Sequence, residues 1–337
     1  MTALAELSGK LQAALTRHLK RNVAVTDLAR LTGGATKATY AFTAEENGAR
    51  RRLIMQLTTV TERLKSDVDS TPRLDGASDA KLTIAAHEAG VKVPRVVCIL
   101  DAQDGMGGGY VTEFVEGQTL GAKISRDPSF FPAHEKMVAQ AGAMLARIHA
   151  IDPAKVPFLV QQSAEDQVRI YRRLVEHYAV RMPALEFALR WAEKNLPPRV
   201  EAKVIHGDFR NGNFIATPED GIRAMLDWEI GQRGDPMQDL GWFCVKTWRF
   251  GGARPAGGFG TREALFEAYE RESGRKVDVA AVRFWEAFGS AKWAVMCLRK
   301  GMLYTNESEP ISLEQCAIGR RIEEPLYDFL NLIEGRD

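Results

Sequence analysis

The sequence has little net charge, few cysteines and histidines, and no long apolar run. Its 45 lysines and arginines almost cancel its 44 aspartates and glutamates, leaving a formal charge of +1. Such a balance offers no electrostatic footprint for nucleic acid or for an anionic membrane surface. No uncharged apolar stretch approaches the roughly 18 residues of a bilayer-spanning helix, and the first residues are polar, without the apolar core of a signal peptide. A cytoplasmic location, with neither nucleic acid nor membrane as partner, is therefore expected. The four cysteines, Cys98, Cys244, Cys297 and Cys316, are far apart and form no Cys-x-x-Cys pair, so they read as reduced core thiols. The histidines show no metal-ligand spacing, which argues against a zinc centre. Neither an internal repeat nor a low-complexity tract is present.

What the chain does have is 337 residues at 45% hydrophobic and 26% charged content, enough for two lobes rather than one ordinary core. The most informative stretch is Val204-Ile205-His206-Gly207-Asp208-Phe209-Arg210-Asn211-Gly212-Asn213-Phe214-Ile215. Strand-like runs at Lys203–Ile205 and Phe214–Ala216 bracket a polar loop, and a third, Ile222–Leu226, delivers Asp227 at its end. Two carboxylates and an amide gathered in this way suit phosphoryl transfer. The reaction needs a hard cation to neutralise phosphate charge and a base to position the attacking hydroxyl. The plainer alternative is a turn whose Asp and Asn only cap backbone groups.

The pattern His206-Gly207-Asp208-x4-Asn213 followed by Asp227 resembles the aminoglycoside phosphotransferase/choline kinase family, relatives of the protein kinases. The resemblance implies an α+β, protein-kinase-like two-lobe fold, with a small antiparallel-sheet lobe over residues 1–116 and a mainly helical lobe over 117–337. It also implies ATP or GTP as co-substrate, Mg²⁺ on Asn213 and Asp227, and Asp208 as the base facing a small hydroxylated acceptor. His206 would brace the loop. Asp235 and Asp239, in Gly234-Asp235-Pro236…Asp239-Leu240, would brace the core around it. Within the second half, Tyr269–Gly274 looks most like the branch related to acyl-CoA dehydrogenase-associated kinases, which includes enzymes that phosphorylate hydroxyacyl-CoA compounds.

Ahead of that loop, Leu28–Phe42 reads as strand, glycine turn and strand, with a third strand at 51–57. Glycines at such a turn let backbone amides approach a triphosphate, and Gly33, Gly34, Thr36 and Lys37 are the nucleotide-binding candidates there. The run Tyr110–Gly117 resembles the family's interlobe hinge, with Glu113 and Val115 offering backbone groups to the base of the nucleotide. One departure stands out. Relatives carry a Lys or Arg near the end of the third strand, paired with a helix Glu; counting along this chain puts Gln56 and Asp79 at those places. Gln56 is kept as a nucleotide contact and Asp79 as its support. The missing positive charge then falls to Lys37, Arg51, Arg52 or Lys65.

Apolar spacing predicts helices at 4–20, from about 132 to 149, and at 164–181, 183–195, 261–273, 278–304 and 312–334. Gly251–Gly260 reads by composition as a flexible loop. Glu229 reads as a surface carboxylate or a contact to metal or acceptor. Two functions follow: transfer of phosphate to a small-molecule hydroxyl, or a nucleotide-binding regulatory module with little transfer activity, which the altered Gln56/Asp79 pair would motivate.

Overall fold

A computed structural model of the chain describes residues 3–31, 37–58, 73–302 and 313–336. Gly33, Gly34 and Thr36 lie outside the described residues. The first helix, α1 (Ala3–Leu19), buries Leu11 and Leu15 and leaves Leu4 exposed, as leucines at helical spacing dictate. Strands β1 (Ala24–Arg30), β2 (Lys37–Glu46) and β3 (Ala49–Thr58) follow. Asn47 and Gly48, both at positive φ (49° and 79°), make the two-residue turn between β2 and β3, a sequence pair suited to the twist of a hairpin.

Helix α2 (Gly76–Glu88) is capped by Asp75, whose side chain accepts from the Ser78 N–H at 2.7 Å. Strands β4 (Val96–Leu100) and β5 (Gly109–Glu113) complete an antiparallel sheet of order β1-β2-β3-β5-β4. Direct cross-strand partners share a face. Ala38, Tyr40 and Phe42 therefore stand with Leu57, Met55 and Leu53 on one side, packed against Leu11 and Leu15 of α1. The opposite face, carrying Lys37, Thr39, Ile54 and Gln56, turns to the cleft. Arg17 and His18 tie α1 to the turn before β5 through Asp104, at 2.8 and 3.0 Å.

The rest is mostly helical: α3 (Gly121–Arg126), α4 (His134–His149), α5 (Ala164–Tyr178) and α6 (Pro183–Lys194). Four short strands follow, β6 (Lys203–Ile205), β7 (Phe214–Thr217), β8 (Gly221–Met225) and β9 (Gln232–Gly234), paired β6 with β9 and β7 with β8. Helices α7 (Met237–Cys244), α8 (Arg262–Ser273), α9 (Val279–Met302), α10 (Leu313–Gly319) and α11 (Glu323–Ile333) close the chain. The architecture is the expected kinase-like α+β fold. The long core of this half runs along α9, through Val282, Phe288, Ala291 and Val295. It also takes in Leu82, Ala85 and Ala86 of α2 and Val91 just beyond it.

Three expectations need correction. The helix expected over 312–334 is two, α10 and α11, with a turn between them; Gly319 approaches so near that a Cβ there would sit 2.4 Å from the Gly301 Cα. The Gly251–Gly260 segment is not a loose connector. Ala256 to Gly260 are all buried, and a Cβ on Gly258 would sit 2.2 Å from the Arg249 carbonyl oxygen, so the glycines are there for close approach. Among the cysteines, Cys98, Cys244 and Cys297 are buried, whereas Cys316 is half-buried; all four are free thiols. Burial pushes the Cys98 thiol up to about 12. Among the described residues no helix is long and apolar enough to cross a membrane.

Candidate active site

The site is assembled on the loop after β6. Asp239, in the first turn of α7 and fully buried, receives two successive backbone N–H groups of that loop: His206 N–H at 2.8 Å and Gly207 N–H at 2.9 Å. Its Oδ2 also lies 3.3 Å from His149 Nε2, and His149 Nδ1 is 3.0 Å from the Tyr269 hydroxyl. Burial opposes the charge on Asp239, but the hydrogen bond and charge of His149, together with His206, hold its carboxyl below the ordinary carboxylate range. Gly207, at φ 80°, passes so close to Ile230 that a Cβ would meet its carbonyl oxygen at 2.6 Å.

His206 is fully buried. Its Nε2 is 3.1 Å from the Leu226 carbonyl oxygen, and its Nδ1 accepts the Asp208 N–H at 3.2 Å. That pair of contacts assigns the proton to Nε2. Burial lowers the His206 pKa against the pull of Asp239, Asp208 and Asp227, and the ring packs on Trp228 at 4.5 Å between centroids. The imidazole is thus a neutral strut from the loop to the strand that delivers Asp227.

Asp208 is held from three directions. Trp242 Nε1 donates to its Oδ1 at 2.8 Å, Asn213 Nδ2 donates to its Oδ2 at 2.9 Å, and Arg210 Nε lies 3.1 Å from both oxygens. The Arg210 guanidinium in turn lies 4.5 Å over the Trp248 ring. Asn213 spends its amide N–H₂ on Asp208, which leaves its carbonyl oxygen as an acceptor. The Leu226 N–H donates to the Asn213 backbone oxygen at 2.8 Å, so Asp227, at φ 64°, is registered beside Asn213.

A second charge cluster stands across from this one. Lys37 Nζ, on a side chain only 8% exposed, lies 2.6 Å from Asp79 Oδ2, 3.1 Å from Asp227 Oδ1 and 3.6 Å from Glu229 Oε2. Arg73 also pairs with Glu229. Burial would lower the lysine, but the carboxylates around it raise its pKa well above the ordinary value. Burial would likewise raise Asp227; Lys37, with His206 and Arg210, pulls it below the ordinary range instead. Glu229 is therefore not a surface carboxylate but a buried one, paired with Lys37 and Arg73.

Asp227 also lines a cavity of about 210 Å³ between the sheet and the helical half. Its walls include Leu31, Thr39, Gln56, Tyr110, Glu113 and Val115, so both hinge candidates and Gln56 border one space. Asp235 accepts the Met237 N–H at 2.9 Å and the Trp285 Nε1–H at 2.7 Å, joining the start of α7 to α9. A larger hollow of about 570 Å³ is lined by residues of the 161–169 and 196–202 segments together with Gly234 and Asp235. Of its acidic groups, Glu165 and Asp166 are engaged by Arg199 and Arg169 and Asp235 by Met237 and Trp285, and no residue of the loop after β6 lines it.

Residues 27–285 match the family described as the phosphotransferase enzyme family. The chain belongs to the phosphotransferase enzyme family. Among curated relatives, this chain is 29% identical over 175 residues to acyl-CoA dehydrogenase family member 10 of Mus musculus, covering 48% of this chain and 16% of that protein. It is 31% identical over 166 residues to acyl-CoA dehydrogenase family member 11 of Gallus gallus, covering 46% and 21%. The chain thus spans about a fifth or less of the length of these relatives. A Ralstonia eutropha JMP134 structure with a provisional aminoglycoside phosphotransferase name superposes with a TM-score of 0.70 at 18% identity, over 97% of this chain and 98% of that one. Spectinomycin phosphotransferase, solved with ADP and spectinomycin, superposes with a TM-score of 0.64 at 13% identity, over 96% and 98%.

Several residues of this site escaped the sequence reading. Trp242 sits 34 positions beyond Asp208, inside an apolar helix, and nothing in one dimension sets it apart from core. Asn211 is fully buried, and its Nδ2 donates to Ser125 Oγ and the Gly257 carbonyl oxygen, each at 2.8 Å. An Asn between Arg and Gly in a polar loop was the available signal, and it reads as a turn former. Arg73 lies just after residues that are not described, with no pattern around it.

Proposed function

We propose that this chain transfers the terminal phosphoryl group of ATP or GTP to a hydroxyl of a small molecule, with Asp208 as the base. The observation that carries the reading is the hold on Asp208 by Trp242, Asn213 and Arg210. A carboxylate kept this way has its position fixed in advance of the reaction, which is what a phosphoryl transfer requires of the protein. The acceptor hydroxyl would donate to a free lone pair of Asp208. As its oxygen bonds to phosphorus and the bond to the nucleoside diphosphate breaks, the proton passes to the carboxylate.

Asn213 and Asp227 form a hard-oxygen donor set that suits Mg²⁺, and bound there the ion would neutralise charge on the phosphates. Asp227 is kept ionised for this by Lys37. Gln56, Glu113 and Val115 border the cavity in which the nucleotide base would lie, between a nucleotide lobe over 1–116 and an acceptor lobe over 117–337. Arg210 beside the base, and Lys292 4.6 Å from the Trp242 ring, favour an anionic or neutral acceptor over a cationic one. Hydroxyacyl thioesters and sugars therefore come before aminoglycosides in a screen.

The test is calorimetry with Mg²⁺ and ATP or GTP on the wild type and Asp227→Ala, followed by turnover of Asp208→Asn with any acceptor found. Binding that is lost in Asp227→Ala is expected. Asp208→Asn is expected to bind nucleotide within about threefold of wild type while kcat drops by about 10²–10⁴, the usual weight of a general base. Wild-type turnover in Asp208→Asn would remove that residue from the mechanism. A wild type that binds neither nucleotide would overturn the whole reading.

A further inference from the structure

The resemblance implies a cation at the end of the third strand that grips the nucleotide phosphates, and this chain has Gln56 there. We propose that the grip has moved one strand across the sheet, to Lys37 on β2, with Asp79 on α2 as its partner. The inference rests on the phosphotransferase reading above and names a residue role within it.

The register makes the move possible. Thr39 pairs with Gln56 and Lys37 with Thr58, so Lys37 and Gln56 share the cleft face as diagonal neighbours, on the order of 7–8 Å apart at their backbones. A lysine side chain spans most of that distance. The Lys37 ammonium reaches Asp79 at 2.6 Å, in the first turn of α2, the helix position at which the partner of the third-strand cation is expected. In this chain position 56 is uncharged, position 37 carries the ammonium, and the helix acid is an aspartate.

Burial argues that the arrangement is built. The Lys37 side chain is 8% exposed and Asp79 is fully buried. An unpaired charge in such a place is strongly disfavoured, so the lysine is not resting there by default. Lys37 also reaches Asp227 at 3.1 Å and Glu229 at 3.6 Å, which puts the ammonium between the helix acid and the carboxylate proposed to hold the metal. A triphosphate arriving with Mg²⁺ on Asp227 would meet an ammonium already oriented toward it.

The experiment relocates the charge. Mg²⁺·AMP-PNP binding by calorimetry and slow release of ADP from Mg²⁺·ATP are measured for wild type, Lys37→Gln, Lys37→Gln/Gln56→Lys and Lys37→Gln/Asp79→Asn. The last variant removes both buried charges, so it keeps the test open should Lys37→Gln alone fail to fold. Expected results are binding weakened at least tenfold in both variants lacking any lysine, and recovery to within about threefold of wild type when the lysine is returned at position 56. Wild-type binding and ADP release in Lys37→Gln or in Lys37→Gln/Asp79→Asn, with only a lower Tm, would make the pair structural and overturn the proposal. Failure of the position-56 lysine to recover binding in a folded protein would overturn the equivalence of the two positions. A wild type that binds no nucleotide would instead strike the parent reading, so the two failures are told apart.

Discussion

At the scale of single residues, the site is a problem of holding one carboxylate still. Asp208 has two oxygens and three donors around them, and the one that comes from furthest along the chain is Trp242. An uncharged N–H to a carboxylate contributes about 1.5–3 kcal/mol, and here that contribution goes into orientation. Trp242→Phe keeps an aromatic ring beside Trp248 while removing the donor together with part of the buried indole. It should lower kcat about tenfold or more and leave the KM for nucleotide within about twofold, which steady-state kinetics with an identified acceptor would show; an unchanged kcat would make the contact incidental. The sequence made Asp208, Asn213 and Asp227 legible because they lie within 20 positions of one another, on a loop whose strand flanks could be read from β-type residues. Trp242, Arg73 and the depth of Glu229 depend on which distant segments the fold brings up, and local pattern carries no information on that.

Between residue and whole, the elements show where one-dimensional reading succeeds and where it misleads. Helices α5, α6, α8 and α9 begin and end within a few residues of the apolar periodicity, and the three strands around Asp208 lie where β-type runs place them. Glycine was the misleading residue. In Gly251–Gly260 it looked like licence for disorder, yet its other property, a missing Cβ, decides here. Gly258 lies against the Arg249 carbonyl and Gly260 against Val138, and the Gly257 carbonyl oxygen accepts from Asn211. The loop that carries Asp208 is therefore pinned to α3 and to the glycine segment through one side chain. Asn211→Ala leaves two or three acceptors without their donor and should cost about 2–3 kcal/mol, read from the urea midpoint. A loss under about 0.5 kcal/mol would mean that the glycine segment holds its shape unaided.

For the molecule as a whole, acid sensitivity should come in part from the buried strut at the loop. The unfolded chain protonates His206 near its ordinary value of about 6.5, whereas the folded chain, which lowers that pKa by burial, resists. The unfolded state thus binds more protons below about pH 6.5, and stability falls as the pH drops through that window, by up to about 1.4 kcal/mol per unit. Asp227 and Asp239, held low, add their loss only below about pH 4, while Asp79 and Asp235, held high by burial, act in the opposite sense. The clean measure is the difference between wild type and His206→Asn in denaturation midpoints from pH 7 to 5, which should shrink by about a kcal/mol or more as the pH falls; parallel curves would mean His206 titrates alike in both states. The overall architecture was readable because one loop motif stands for a whole fold, but the packing of α2 was not. That helix lies next to the sheet in sequence and gives Leu82, Ala85 and Ala86 to the core of the helical half. A protein engineer exchanging the sheet half between relatives by cutting near Gly117 would carry α2 away with the sheet. The donor fragment would then expose an apolar helix face and the recipient would keep a groove of the same shape, so a workable graft has to leave α2 with the helical half and rejoin the sheet on either side of it.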